Sequence, residues 1–326
     1  VKFGGSSLAS AKQFEKVGAI IKADPERKFV VPSAPGKRDA NDTKVTDMLY
    51  ATYAYAEQGN DFSKALKAIE ARYQEIIDGL GLSLSLKDEF AKIAENFKNK
   101  AGSDYAASRG EYLNGIIMAN YLGYEFVDAA EVIFFDNDGN FLADKTDEVL
   151  SARLENVECA VIPGFYGAKE NGYVKTFSRG GSDVTGSIVA KAVRADAYEN
   201  WTDVSGFLIA DPRIVDKPKA IDTITYKELR ELAYMGATVL HEDAIFPVRK
   251  EGIPINIRNT NRPEDPGTMI TAEPAKTDHV ITGIAGKKDF TVIAIYKTGL
   301  SDERGFIRRL AGIFEDYDLP IEHLPN

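Results

Sequence analysis

Phe177-Ser178-Arg179-Gly180-Gly181-Ser182-Asp183-Val184-Thr185-Gly186 gathers a cation, a carboxylate, hydroxyls and a Gly-Gly turn where an apolar strand-like run gives way to a helix-like one. Such a junction builds an anion site. Glycines let the backbone approach a ligand closely, and the first amides of a helix aim unpaired donors at it, backed by roughly +0.5 charge of macrodipole. Arg179 adds a planar fork that matches a carboxylate or a phosphate. The plainer alternative is a Ser or Asp N-cap with glycines to make the turn. What weighs against it is a second loop of the same kind, Lys2-Phe3-Gly4-Gly5-Ser6-Ser7, at the other end of the domain. Lys2 precedes those glycines, so it either reaches the same anion from the strand end or is a surface lysine beside a tight turn.

The elements around these loops follow from periodicity. The first loop joins a strand to a helix with Phe14, Val17, Ile20 and Ile21 at helical spacing, and in open α/β sheets ligands bind at that strand edge. It has neither the Walker A nor the Rossmann glycine spacing. Lys28-Phe29-Val30-Val31-Pro32 is a second strand, running into Ser33-Ala34-Pro35-Gly36 and a polar segment over residues 37–46 of the kind that contacts substrates. Thr46-Asp47 caps a helical run with Met48, Leu49 and Tyr53. Residues 64–99 are helical and amphipathic, a lid or insertion whose default role is packing. Ser108-Arg109-Gly110-Glu111 leads into a helix over 116–122 and places Glu111 in its first turn, where a carboxylate also simply suits the dipole.

Phe126-Val127-Asp128-Ala129-Ala130 and Val132-Ile133-Phe134-Phe135 read as strands, and Asp136-Asn137-Asp138-Gly139-Asn140 as a turn without the spacing of a calcium loop. Asn171-Gly172 favours a type I′ hairpin. A helix over 184–193 precedes the strand Glu199-Asn200-Trp201-Thr202-Asp203-Val204, with Trp201 as core, and Ala210-Asp211-Pro212-Arg213 forms a polar turn. A helix over 226–240, broken near Gly236, precedes a last strand, Ile253-Pro254-Ile255-Asn256-Ile257-Arg258. This rhythm predicts an α/β fold with a largely parallel sheet covered on both faces. From about Thr271 the pattern changes to strand (Thr291-Val292-Ile293-Ala294-Ile295), helix (305–317) and strand (Ile321-Glu322-His323-Leu324), so the expected domains are 1–270 and 271–326. That half-unit leaves a sheet edge uncovered, and the chain begins without Met, so further residues are expected at both ends.

Composition narrows the partners. Fifty acidic against 40 basic residues give a net charge of −10, which disfavours nucleic acid and anionic membrane surfaces. Cys159 stands alone in an apolar run, so no disulfide or thiolate metal site forms within one chain, and its expected role is core packing. No apolar run approaches the roughly 18 residues of a bilayer span and no signal peptide precedes the first motif, so a cytoplasmic protein is expected.

In combination these pieces resemble the aspartate kinases of the amino-acid kinase family. The matching segments are the two glycine loops, Trp201-Thr202-Asp203-Val204-Ser205-Gly206 with Ala210-Asp211-Pro212-Arg213, Gly236-Ala237-Thr238-Val239-Leu240-His241, and Arg258-Asn259-Thr260 leading to Pro266-Gly267-Thr268. They occur in the family's order across nearly the whole chain. The resemblance implies the amino-acid kinase fold followed by the start of an α+β ACT regulatory domain. It implies ATP-dependent phosphorylation of the L-aspartate β-carboxylate to 4-phospho-L-aspartate, the first step toward lysine, threonine and methionine. An end-product effector, lysine or threonine, and a homodimer are expected on the same ground.

The chemistry suits the residues independently. Phosphoryl transfer to a carboxylate brings two anions together, so the protein must supply positive charge rather than a base, the nucleophile being ionised at pH 7. By resemblance, Lys2, Gly4 and Gly5 hold the β- and γ-phosphates, with Phe3 and Ser6 of the same loop in the nucleotide site. Asp183 orients ammonium groups at the centre and forms the catalytic pair with Lys2. Arg179, with Gly180, Gly181 and Ser182, clamps a substrate carboxylate; Glu111 takes the α-ammonium, and Thr46 contacts aspartate from the polar segment. Thr202, Asp203, Leu208, Asp211, Arg213, Thr238 and Val239 line the nucleotide site. Mg2+ rides on the phosphates without a protein ligand that the motifs name.

Two departures stand out. Many family members carry Lys where this chain has Thr238, and Tyr where it has Leu208. Losing one preorganised donor costs on the order of 10²- to 10³-fold in rate, and Lys175, Lys227 or a metal are the candidates to compensate. His241 is expected to be structural, since the reaction needs no acid or base. A catalytically weak amino-acid sensor and a kinase for another acceptor, such as acetylglutamate or glutamate, remain alternatives. The Glu111 and Arg179 pair favours a free α-amino acid over an N-acetylated one.

Overall fold

Apolar runs closed by turns fold here into strands too short to stand alone, and helices on both faces hold them. The computed structural model describes residues 1–178, 180–234, 240, 244–274, 281–286, 291–296, 298–299, 303–321 and 324. In chain order the strands are Lys2–Phe3 (β1), Phe29–Pro32 (β2), Glu125–Phe126 (β3), Phe134–Phe135 (β4), Ala160–Val161 (β5), Tyr166–Lys169 (β6), Val174–Thr176 (β7), Tyr198–Thr202 (β8), Thr223–Thr225 (β9), Ile255–Asn259 (β10) and Thr268–Thr271 (β11). The helices are Ala11–Lys22 (α1), Val45–Glu57 (α2), Ser63–Gly79 (α3), Lys87–Lys98 (α4), Ser103–Leu122 (α5), Ala129–Val132 (α6), Ala143–Leu154 (α7), Gly181–Ala192 (α8), Tyr226–Tyr234 (α9), Phe246–Arg249 (α10) and Phe306–Asp316 (α11).

Eight strands form the main sheet in the order β3-β5-β2-β1-β8-β10-β11-β9. Every neighbouring pair is parallel except β10 with β11. The two-residue β1 is central because both its residues are buried and both its edges are paired. Successive strand residues point to opposite faces. Val30 therefore enters the core with α1 to α5, while Val31 enters the core with α7 to α10. Trp201 is core, as expected, with the Arg27 and Arg258 guanidinium carbons 5.4 and 4.5 Å from its ring centre. A smaller sheet, β4-β6-β7, carries the hairpin that leads into the second glycine loop.

Several local expectations change. The segment around Val132 starts with the short helix α6, whose N-cap Asp128 accepts from the Ala130 amide, and only Phe134–Phe135 is strand. The hairpin has positive φ at Gly172 (84°) but not at Asn171, and the Gly172 amide donates to the Lys169 carbonyl. That is a three-residue loop with a glycine bulge rather than type I′. β10 is followed in the sheet by β11, which the apolar pattern missed because it is a short edge-side strand rich in threonine.

The chain divides into two compact units, Val1–Gly286 and Lys287–Asn326. In the second, α11 covers the predicted helix. The strand expected over 291–295 is not formed: extended backbone becomes a strand only by pairing, and among the described residues nothing pairs with it. Glu322 and His323 lie outside the described residues, as does the expected break near Gly236. Among the described residues no helix is long and apolar enough to cross a membrane.

Candidate active site

Strand register brings the first two groups together. β1 and β8 pair in parallel with Lys2 opposite Asn200, so both side chains leave the same face of the sheet. The buried Lys2 Nζ lies 2.6 Å from Asp183 Oδ1, in the first turn of α8. Asn200 Nδ2 donates to the same carboxylate oxygen at 2.8 Å, and the Tyr198 hydroxyl donates to the Asp183 carbonyl at 3.1 Å. Lys2 Nζ also donates to Asn200 Oδ1 over 3.4 Å.

The second glycine loop is not a side-chain cap. α8 begins at Gly181, and its N-cap is Gly180 at φ 57° with no side-chain hydrogen bond. Ser182 and Asp183 thus lie inside the first turn, where helix amides lack intrahelical acceptors and remain available to an anion. Close packing keeps this end in place. A Cβ on Gly164 would come within 2.6 Å of Ser182 Cβ, and Phe165 beside it holds a left-handed φ of 79° while its amide donates to Thr185 Oγ1 at 3.0 Å.

At the first loop the Gly4 amide donates to the Trp201 carbonyl at 2.9 Å, fixing the turn to the end of β8. Gly5–Leu8 forms a 3₁₀ turn, and α1 starts only at Ala11 after an extended Ser10, so the glycines do not open the long helix directly. The turn crosses the loop after β2, where the Gly36 amide donates to the Gly5 carbonyl at 2.8 Å. A Cβ on Gly5 would stand 2.9 Å from the Ala34 carbonyl oxygen, so this crossing requires glycine. Ser7 Oγ lies 2.7 Å from Thr260 Oγ1 past the end of β10. Phe3 is fully buried, and the Ser6 carbonyl accepts from Gln13 Nε2 at 3.2 Å.

Glu111 sits near the middle of α5, not in a first turn, because the helix starts eight residues earlier at Ser103. It is 5% exposed and its Oε2 has no partner. Burial pushes its carboxyl up to about 8, against the pull of the Ala34 amide that donates to it and of the nearby Lys2 ammonium. A buried carboxyl with a spare oxygen is a receptor for a cation. Thr46 is also inside a helix rather than capping it: the N-cap of α2 is Lys44, and Thr46 Oγ1 lies 3.6 Å from where a Gly110 Cβ would be.

The residues expected to line the nucleotide site leave the C-terminal end of β8 and the loop beyond it. Thr202 Oγ1 donates to Asp203 Oδ1 at 3.2 Å, and Arg213 Nη2 pairs with Asp211 Oδ2 at 2.6 Å in the turn. Leu208 is 40% exposed. Thr202 ends β8, which pairs with the strand of Lys2, and Leu208 bridges to Ala220 in the loop beyond. Arg179, Thr238, Val239 and His241 lie outside the described residues. Lys175, a candidate to compensate for Thr238, donates to Asp104 Oδ2 at 2.9 Å and is committed there. Among the described residues no group of three or more His, Cys, Asp or Glu side chains gathers to hold a metal.

The sequence profile of the amino acid kinase family matches residues 1–259. The chain belongs to the amino acid kinase family. It is 38% identical over 341 residues to Aspartokinase 3 of Bacillus subtilis, covering 100% of this chain and 75% of that protein. It is 26% identical to the lysine-sensitive aspartokinase 3 of Escherichia coli, covering 98% of this chain and 74% of that one. Among solved structures, Clostridium acetobutylicum aspartate kinase, described as an allosteric enzyme, superposes with a TM-score of 0.96 at 57% identity, over 100% of this chain and 75% of that one. The parallel sheet with helices on both faces is this family's fold. Within it, Asn200 and Tyr198 carry no motif role; the signal for Asn200 was a polar side chain beside Trp201, the residue of that strand expected to be core.

Proposed function

We propose that the chain is an aspartate kinase, transferring the γ-phosphoryl group of ATP to the β-carboxylate of L-aspartate to give ADP and 4-phospho-L-aspartate. The observation that carries the acceptor assignment is Glu111, a buried carboxyl with an unpartnered oxygen close enough to feel the Lys2 ammonium. It suits the α-ammonium of a free amino acid. The 38% and 57% identical aspartate kinases support the same reading.

In this reaction a carboxylate oxygen bonds to phosphorus as the bond from phosphorus to the ADP oxygen breaks. The acceptor is already ionised at pH 7, so no side chain needs to take a proton. Lys2, held by Asp183, places one ammonium at the glycine turn where charge gathers on the transferring group. The amides at the start of α8 lack intrahelical acceptors and suit a second anion. We assign Arg179, Gly180, Gly181 and Ser182 to the substrate carboxylate, and the loop after β8, with Thr238 and Val239, to the nucleotide. We assign Mg2+ to the ATP phosphates, where it would offset their negative charge.

Residues from 271 onward read as the start of an ACT-like domain, with α11 as its first helix and 1–270 as the catalytic domain. The effector we propose is lysine or threonine, the former by likeness to the lysine-sensitive relative, acting on a homodimer. We assign the enzyme to the cytoplasm, a compartment that supplies both ATP and free aspartate.

Trapping the acyl phosphate with hydroxylamine tests the acceptor across aspartate, glutamate and acetylglutamate. Hydroxamate from aspartate is expected; hydroxamate only from another acceptor, or from none, overturns the assignment.

A further inference from the structure

We propose that Asn200 is a positioning residue for phosphoryl transfer, locking the Lys2 ammonium and the Asp183 carboxylate into one arrangement; this rests on the kinase reading above. Three elements meet at its amide. It stands opposite Lys2 in the β1–β8 register, is 3% exposed, and donates to Asp183 Oδ1 at 2.8 Å while accepting from Lys2 Nζ at 3.4 Å. Only a neutral side chain with both a donor and an acceptor can make both contacts.

The consequence lies in the protons of Lys2. An ammonium has three. One goes to Asp183 at 2.6 Å and a second to Asn200, on one side of the nitrogen. The third is left toward the glycine turn, where a Cβ on Gly4 would lie 3.6 Å from Nζ. Without the amide, Asp183 alone would hold Lys2, and the ammonium could rotate about a single contact. Two hydrogen bonds to Asp183, from Asn200 at the carboxylate and Tyr198 at the carbonyl, also tie the start of α8 to the same face of β8. A shared reference surface thus sets the distance between the phosphate-side cation and the acceptor-side helix end.

The test uses the full chain and two variants. Asn200→Leu keeps the volume and removes both contacts. Its kcat should fall about 10- to 100-fold while the KM for aspartate and for ATP moves by less than about threefold, because alignment rather than binding is lost. A kcat within twofold of the parent, or a loss confined to KM, overturns the proposal. A parent chain that yields no hydroxamate from aspartate overturns the kinase reading instead. The positioning claim is then judged on the environment of Lys2, followed by the 13Cε resonance of labelled lysine and assigned with Lys2→Met. Asn200→Leu removes both amide contacts, so that resonance should move from its place in the parent; an unmoved resonance overturns the contact.

Discussion

Lys2 and Asp183 close a 2.6 Å ion pair between the central strand of the sheet and the first turn of α8. It links the residue before the first glycine loop to one just after the second, and in the proposed reaction it holds a cation for the charge that develops on the transferring phosphoryl group.

Lys2→Met is expected to lower turnover by about 10³-fold or more while calorimetry shows aspartate binding nearly unchanged. A parallel loss of aspartate affinity would move Lys2 from the phosphate side of the reaction to the acceptor side.

Aspartate affinity should depend on pH through Glu111. Its carboxyl titrates at about 8 in the free chain, so near neutrality an incoming α-ammonium must displace a proton. Apparent affinity should then strengthen by up to about tenfold per pH unit between pH 6 and 8 and level off above, with release of close to one proton. An affinity that is flat across this window would remove Glu111 from the ammonium site.

The same group should tilt stability. Its carboxyl rises from 4.5 to about 8 on folding, chiefly by burial. Between those values the folded chain holds a proton that the unfolded chain has released, so stability declines as pH rises and is lowest above about 8. Glu111→Gln should therefore raise the Tm at pH 9, with a gap that closes toward pH 5, while abolishing productive aspartate binding. Thermal melts that run parallel at both pH values would contradict this.

Gly36→Ala should cost about 1–3 kcal/mol and slow turnover, because its Cβ would lie 2.6 to 2.8 Å from the Gly5 backbone and the Ser6 nitrogen. Glycine at that crossing brings the loop after β2 against the nucleotide-side turn. Chemical denaturation and kcat on the same sample check both effects; a neutral change would mean the crossing relaxes freely.

Much of the fold could be read from local pattern. Apolar strands ended by turns and followed by amphipathic helices predicted the parallel sheet, and the first glycine loop follows one of its strands, β1, as expected. Errors came where pairing or neighbours outweighed local preference. The segment 291–295 has strand composition but no partner among the described residues, and Glu111 looked like the start of a helix that begins at Ser103.

By itself the sequence determined which residue types were available for this chemistry: a lysine before two glycines, a carboxylate after two more, and an acidic residue beside Gly110. Residue spacing and side-chain type carry that information locally. Tertiary structure decided which of them act together, because register and burial arise only between elements. The β1–β8 pairing put Asn200 opposite Lys2, α8 brought Asp183 onto both, and enclosure of α5 turned Glu111 from an ordinary helix carboxylate into a buried one that holds its proton near neutrality.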